Sequence, residues 1–187
     1  MNTNSRFKRL SKFLSLVLRH KPETIGLQLG EQGWVDFSVL LEKLGQTDLD
    51  TSREELLAMI ADNDKQRFSY DAASDRIRAA QGHSVQVELG YSPQEPPERL
   101  FHGTVGRFLD SIAAQGLLPG SRHQVHLSPD VETATRVGDR RGKAVILNID
   151  AAAMHSEGFA FFRSDNGVWL CDHVPPRYID FPKKLIE

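Results

Sequence analysis

The chain has 187 residues, is 40% hydrophobic and 26% charged, and contains 10 Phe. Those figures suit one large domain or two small ones with a real core, and they exclude a compositionally disordered chain. The formal net charge of −2 excludes a general basic coat, so any contact with nucleic-acid phosphates must come from local patches.

Cys171 is the only cysteine, so no intramolecular disulfide can form, and a reducing cytoplasm is the expected location. Phe13 to Leu18 is broken by Ser15 and stopped by Arg19. No stretch approaches the roughly 18 to 20 apolar residues needed to cross a bilayer, so a soluble protein away from membranes is expected.

Phe7, Leu10, Phe13, Leu14, Val17 and Leu18 recur at spacings of three and four, which predicts an amphipathic first helix. Asp36 is placed to cap a second helix carrying Val39, Leu40, Leu41 and Leu44, with Gly45 as its stop. Thr51 and Glu54 have capping-box spacing before Leu56, Leu57, Met59 and Ile60. Arg67 to Tyr70 and Arg76 to Arg78 flank the polar turn 71–75, which predicts a hairpin. Three helices closed by a hairpin outline a winged helix, here a lobe over residues 1–90.

Tyr91 to Glu98 holds Pro93, Pro96 and Pro97, which predicts an extended linker and a domain boundary. A second lobe over 99–187 then alternates strands and short helices. Strands are expected from Arg99 and over Val125 to Leu127 and Ala144 to Ile149. A helix is expected over Arg107 to Gln115, ending at Gly116. Ser128 and Pro129 suit the start of another, running to about Val137. Phe159 to Arg163 and Val168 to Cys171 flank Ser164-Asp165-Asn166-Gly167, a second hairpin signal. The fold class expected is therefore α+β in two lobes.

Three clusters can carry chemistry. The first is Arg19-His20-Lys21-Pro22, following a stretch whose first 22 residues hold six Lys or Arg and no acid. Such cations can simply complement a helix C-terminus in solvent. They can equally form an oxyanion clamp, with Arg19 bidentate on a phosphate, His20 a protonatable donor and Arg67 joining in space. The second is Phe101-His102-Gly103-Thr104, where Gly103 allows close backbone approach and His102 and Thr104 offer donors to a ribose or phosphate; a loop histidine satisfied by its backbone is the plainer reading. The third is Arg122 to Ser128, with His126 and Ser128 on one face of a strand. Zinc at His123 and His126, with His102 or Cys171, has no matching spacing. No Rossmann glycine pattern, Walker A sequence, zincin motif or nucleophile elbow is present.

Taken in order, Leu18-Arg19-His20-Lys21-Pro22, Gly33-Trp34-Val35, Arg67-Phe68-Ser69-Tyr70, Phe101-His102-Gly103-Thr104, Arg122 with His126-Leu127-Ser128, Val137-Gly138, and Asn166-Gly167-Val168-Trp169-Leu170 resemble the tRNA 2′-phosphotransferases across nearly the whole chain. A departure is Gln28-Leu29-Gly30-Glu31, where that family usually carries an acid directly after the leucine. The resemblance implies an N-terminal winged-helix RNA-binding lobe and a C-terminal ADP-ribosyltransferase-like lobe. It implies catalysis by Arg19, His20, Arg67 and Arg122. It implies NAD as co-substrate at His102, Gly103, Thr104, His126 and Ser128, RNA with an internal 2′-phosphate as the other substrate, and no metal.

The implied reaction has two steps. The RNA 2′-phosphate displaces nicotinamide to give RNA-2′-phospho-ADP-ribose, whose 2″-hydroxyl then releases the RNA and forms ADP-ribose 1″,2″-cyclic phosphate. A phosphate nucleophile is already anionic at pH 7 and needs positioning and charge compensation instead of a general base. The late segment Phe161 to Leu170 offers Asp165 but no catalytic glutamate, in keeping with that chemistry. A transferase that caps phosphorylated nucleic-acid ends is a second reading within NAD chemistry. A plain winged-helix binding protein is a third, weakened by Glu54, Glu55, Asp62 and Asp64 against Arg53 on the third helix. Both lobes look able to bury their own cores, so a monomer is expected.

Overall fold

The computed structural model describes residues 3–62 and 66–182. It is a mixed α+β protein with six α-helices among the described residues and small antiparallel sheets. Two compact units divide the chain, Met1–Gly90 and Tyr91–Glu187. Among the described residues no helix is long and apolar enough to cross a membrane.

In the first unit, helix α1 (Thr3–Val17) buries Leu10, Leu14, Val17 and Leu18, the spacing seen in the sequence, with Phe7 and Phe13 partly buried beside them. Helices α2 (Phe37–Leu44) and α3 (Arg53–Ala61) complete the core with Phe37, Leu40, Leu44 and Leu56, all fully buried. Full burial of such side chains stabilises by about 1.5–3 kcal/mol each before chain entropy is counted. A three-stranded antiparallel sheet in the order β1-β3-β2 closes the unit. It consists of β1 (Val35–Asp36), β2 (Phe68–Asp71) and β3 (Arg76–Ala79), with Phe68 opposite Ala79 and Asp71 opposite Arg76.

Two caps differ from expectation. Asp36 stands at the N-cap of α2 but makes no side-chain cap bond. On α3 the cap is Ser52, whose hydroxyl accepts from the Glu55 amide, one residue later than the Thr51–Glu54 pair read from spacing. Thr51 is diverted because its hydroxyl donates to the Glu55 carboxylate, which also takes the Arg6 guanidinium from α1. Asp64, counted among the acids of the third helix, lies outside the described residues.

The second unit has two three-stranded antiparallel sheets, in the orders β4-β6-β9 and β5-β8-β7. The first joins β4 (Arg99–Val105), β6 (Ala144–Asp150) and β9 (Ile179–Asp180). The second joins β5 (Val125–Leu127), β7 (Phe162–Arg163) and β8 (Trp169–Cys171). Leu100, Leu147 and Ile149 from one sheet meet Leu127, Trp169 and Cys171 from the other in a shared core. Burial pushes the Cys171 thiol up to about 12, so it stays protonated. Helices α4 (Leu109–Gln115), α5 (Val131–Gly138) and α6 (Ala151–Ser156) pack around them. The sequence reading missed α6, which Asp150 caps by accepting from the Ala153 amide at 3.0 Å.

Helix α5 starts later than expected. Ser128 is held extended by mutual backbone hydrogen bonds with Phe101, so Asp130 takes over as the cap, accepting from the Thr133 amide at 2.7 Å. The stretch 91–98 also differs from a free linker. Its prolines keep it extended, but the Gln94 amide donates to the Phe161 carbonyl at 2.8 Å and Pro93 bridges to Phe162, so it belongs to the second unit.

Candidate active site

In the first unit α1 runs out just before the Arg19-His20-Lys21-Pro22 segment. The amides of His20 and Lys21 both donate to the Leu16 carbonyl, and a short 3-10 turn begins at Pro22, which can supply no amide of its own. The Arg19 carbonyl is then capped by the amides of Ser84 and Val85, at 2.9 and 3.3 Å. This fixes where the Arg19 side chain starts, and its guanidinium donates to the Arg67 carbonyl at 3.1 Å. Arg19 and Arg67, 48 positions apart, are thereby brought together, with Arg67 at the entrance to β2.

His20 is exposed, and its Nδ1 stands 2.9 Å from the Ser84 hydroxyl. A hydroxyl can donate to a neutral ring nitrogen or accept from a protonated one. Ser84 can therefore hold the ring in one orientation through a proton transfer. Nothing in the sequence singled out Ser84; only the return of the chain past β3 puts it there.

In the second unit the predicted residues gather on β4 and β5. Strand register puts Leu100, His102 and Thr104 on the face of β4 that looks into the core, opposite Ile149, Leu147 and Val145. The His102 Nδ1 lies 3.1 Å from the His126 carbonyl, which can only accept, so the proton sits on Nδ1 and Nε2 is left as an acceptor. Burial is the main cause that lowers the His102 pKa. The His126 carbonyl opposes it, and the charges of Arg141 and Arg122 reinforce it. His102 is thus neutral at pH 7.

His126 has the opposite polarity. Its Nδ1 accepts a hydrogen bond from the Arg122 guanidinium, which can only donate, so its proton is on Nε2. Arg122 itself is held below its ordinary value, first by loss of solvent around the guanidinium and then by the like charges of Arg141 and Arg140, although the residue as a whole remains exposed. Arg140 and Arg141 form part of a 3-10 turn directly after α5, and the Arg107 guanidinium donates to the Arg141 carbonyl at 3.3 Å. These two arginines were missed in the sequence, where the run Arg140-Arg141-Gly142-Lys143 was the available signal.

The remaining predicted residues have structural duties as well. A Cβ on Gly103 would lie 1.8 Å from the Ala134 carbonyl, so this glycine lets α5 lie directly against β4. Thr104 is buried at 6% exposure, and Ser128 ties β5 to β4 through the Phe101 backbone. Among the described residues no group of three or more His, Cys, Asp or Glu side chains stands close enough to hold a metal. The two clusters can do different things. One offers guanidinium and imidazole groups for a phosphate. The other offers a neutral imidazole acceptor beside crowded guanidinium groups.

Residues 5–173 match the family described as RNA 2′-phosphotransferase, Tpt1 / KptA family. The chain is similar to a "Probable RNA 2′-phosphotransferase" of Flavobacterium johnsoniae, 52% identical over 174 residues that cover 93% of this chain and 96% of the relative. A protein of the same description from Burkholderia pseudomallei is 53% identical over 174 residues, covering 93% and 95%. One from Hahella chejuensis is 51% identical over 176 residues, covering 94% and 95%. With a family match over residues 5–173 and relatives more than half identical across most of both chains, the chain belongs to the RNA 2′-phosphotransferase family.

Proposed function

We propose that this protein removes an internal 2′-phosphate from RNA by passing it to the ADP-ribose part of NAD. The observation that carries the NAD side of the reading is the crowding of Arg122 by Arg140 and Arg141 next to a neutral His102. Guanidinium groups that raise one another's energy are relieved by a polyanion, and a pyrophosphate supplies one. A neutral imidazole with its acceptor nitrogen available suits a ribose hydroxyl. The residues present therefore fit NAD as a substrate. We read the first unit as a winged-helix lobe that binds RNA and the second as an ADP-ribosyltransferase-like lobe, acting together as a monomer without metal.

In the first step a 2′-phosphate oxygen bonds to the anomeric carbon of the nicotinamide ribose, and nicotinamide leaves with the electron pair of its C–N bond. Arg19, His20 and Arg67 position the phosphate and balance its charge. In the second step the 2″-hydroxyl oxygen bonds to phosphorus as its proton is released to solvent, the bond to the RNA 2′-oxygen breaks, and the RNA takes up one proton that restores its 2′-hydroxyl. His20 is the donor in this reading, since an imidazole can both give and regain a proton. Ser84 keeps the ring oriented in either state. Arg122, with His126 as its partner, compensates charge on the pyrophosphate and in the second step.

The test is a short RNA bearing one internal 2′-phosphate, incubated with the protein with and without NAD and without added metal. The expected result is phosphate loss only with NAD, with nicotinamide and ADP-ribose 1″,2″-cyclic phosphate as products. Arg122→Ala is expected to slow turnover by roughly 10²–10³-fold, with RNA-2′-phospho-ADP-ribose accumulating. A folded protein that leaves both RNA and NAD intact would overturn the reading. ADP-ribose appearing on a terminal phosphate instead would replace it with a capping activity.

A further inference from the structure

We propose that a groove along α1 seats the RNA strand flanking the 2′-phosphate, so that this helix face sets how much RNA the enzyme grips; the proposal rests on the function proposed above. The groove has a volume of about 520 Å³, and its lining includes Arg9, Lys12, Phe13, Leu16, His20 and Asp48. Its helical residues recur at spacings of three and four, so they share one face of α1 and continue to His20 at its end. From His20 to Lys12 is about two helical turns.

The lining has the two parts that a single strand needs. Phe13 and Leu16 offer an apolar floor on which a base can lie, and Arg9 and Lys12 are cations beside it for backbone phosphates. Continuity with the catalytic cluster argues for RNA as the occupant, because the group proposed to meet the 2′-phosphate forms one end of the groove. Charge argues the same way. The first 22 residues of the chain contain six cations and no acid, although the net charge of the whole chain is −2.

Asp48 is the one carboxylate among the described residues of the lining, and it pairs with the Arg9 guanidinium at 3.1 Å. Both side chains are exposed, 54% for Arg9 and 81% for Asp48, so solvent screens the pair and a phosphate can compete for the guanidinium. Asp48 thus acts as a brake on strand binding, and removing its charge should tighten the grip.

Two substrates separate this groove from the catalytic centre: a single nucleotide carrying a 2′-phosphate, and a single-stranded RNA of about ten nucleotides with the same group inside it. In the Arg9→Ala, Lys12→Ala double variant, KM for the longer RNA is expected to rise about three- to tenfold at unchanged kcat. The slope of log KM against log salt should flatten by about 1.4, the loss of two phosphate contacts on a single strand. Kinetics on the single nucleotide should not change. Asp48→Asn should lower KM for the longer RNA.

In parallel, fluorescence anisotropy with the longer RNA lacking any 2′-phosphate should show the same weakening and tightening of binding. That arm does not depend on the reaction. Wild-type protein that fails to turn over either substrate overturns the proposed function, while the anisotropy still decides the groove. Equal effects on both substrates, or unchanged anisotropy and KM, overturn the groove. Binding of an acidic peptide that Lys12→Ala abolishes, with RNA binding untouched, would reassign it to a protein partner.

Discussion

At the scale of residues, His102 and His126 look alike in the sequence, two imidazoles on predicted strands, of which His102 invites the reading of a donor to ribose or phosphate. The fold makes them opposites. The His126 carbonyl accepts the hydrogen bond of His102 Nδ1–H and leaves Nε2 an acceptor, while Arg122 occupies the Nδ1 lone pair of His126 and leaves its Nε2 a donor. His102 accordingly corrects the donor role expected from its position. Burial, with Arg141 and Arg122 nearby, lowers its pKa, so protonation comes at a pH below the ordinary histidine range of about 6.5. Because the folded value is the lower one, acid both destabilises the folded form and removes the acceptor. KM for NAD should stay flat as pH falls to about 6.5 and rise only below it, as initial rates at saturating RNA would measure. A rise already complete at neutral pH would mean that the His102 pKa is raised and not lowered.

At the scale of elements, the sequence announced most helices and strands because their apolar periodicity is local. The α1 positions Leu10, Leu14, Val17 and Leu18 needed only spacing, and the two hairpins needed only their polar turns. What it misplaced were the element ends. Ser52 and Asp130 cap where Thr51 and Ser128 were expected, because Thr51 answers Glu55 and Ser128 answers Phe101. A side chain or backbone group committed to a distant partner cannot also cap, and spacing alone does not reveal that commitment. Gly103 shows the same limit: read as an approach for a ligand, it is also the point where α5 touches β4. Gly103→Ala must push the helix away from the Ala134 carbonyl, so it should lower stability by about 1–3 kcal/mol, measured by urea denaturation. Unchanged stability with lost activity would instead assign Gly103 wholly to the ligand.

At the scale of the whole molecule, the chain builds two units with separate cores, one centred on Phe37, Leu40 and Leu56, the other on Leu100, Leu147 and Phe161. Each core is made of residues from its own unit, so residues 1–90 and 91–187 expressed separately should each give a cooperative thermal transition by circular dichroism. A featureless melt from either would show that its core depends on the rest of the chain. The 91–98 segment should stay with the second piece, since Gln94 and Pro93 pair with Phe161 and Phe162. By itself the sequence determined the α+β character, the order of most elements, the family resemblance and the identity of the cationic residues. All of these depend on residue type and short spacing. Only the tertiary structure decided that Ser84 holds His20, that Arg140 and Arg141 crowd Arg122, and which nitrogen of each histidine carries the proton. Apart from the Arg122–His126 pair, which is four positions apart, those are consequences of contacts between residues far apart in the chain, where charge, burial and hydrogen-bond polarity are set by the neighbour and not by the residue.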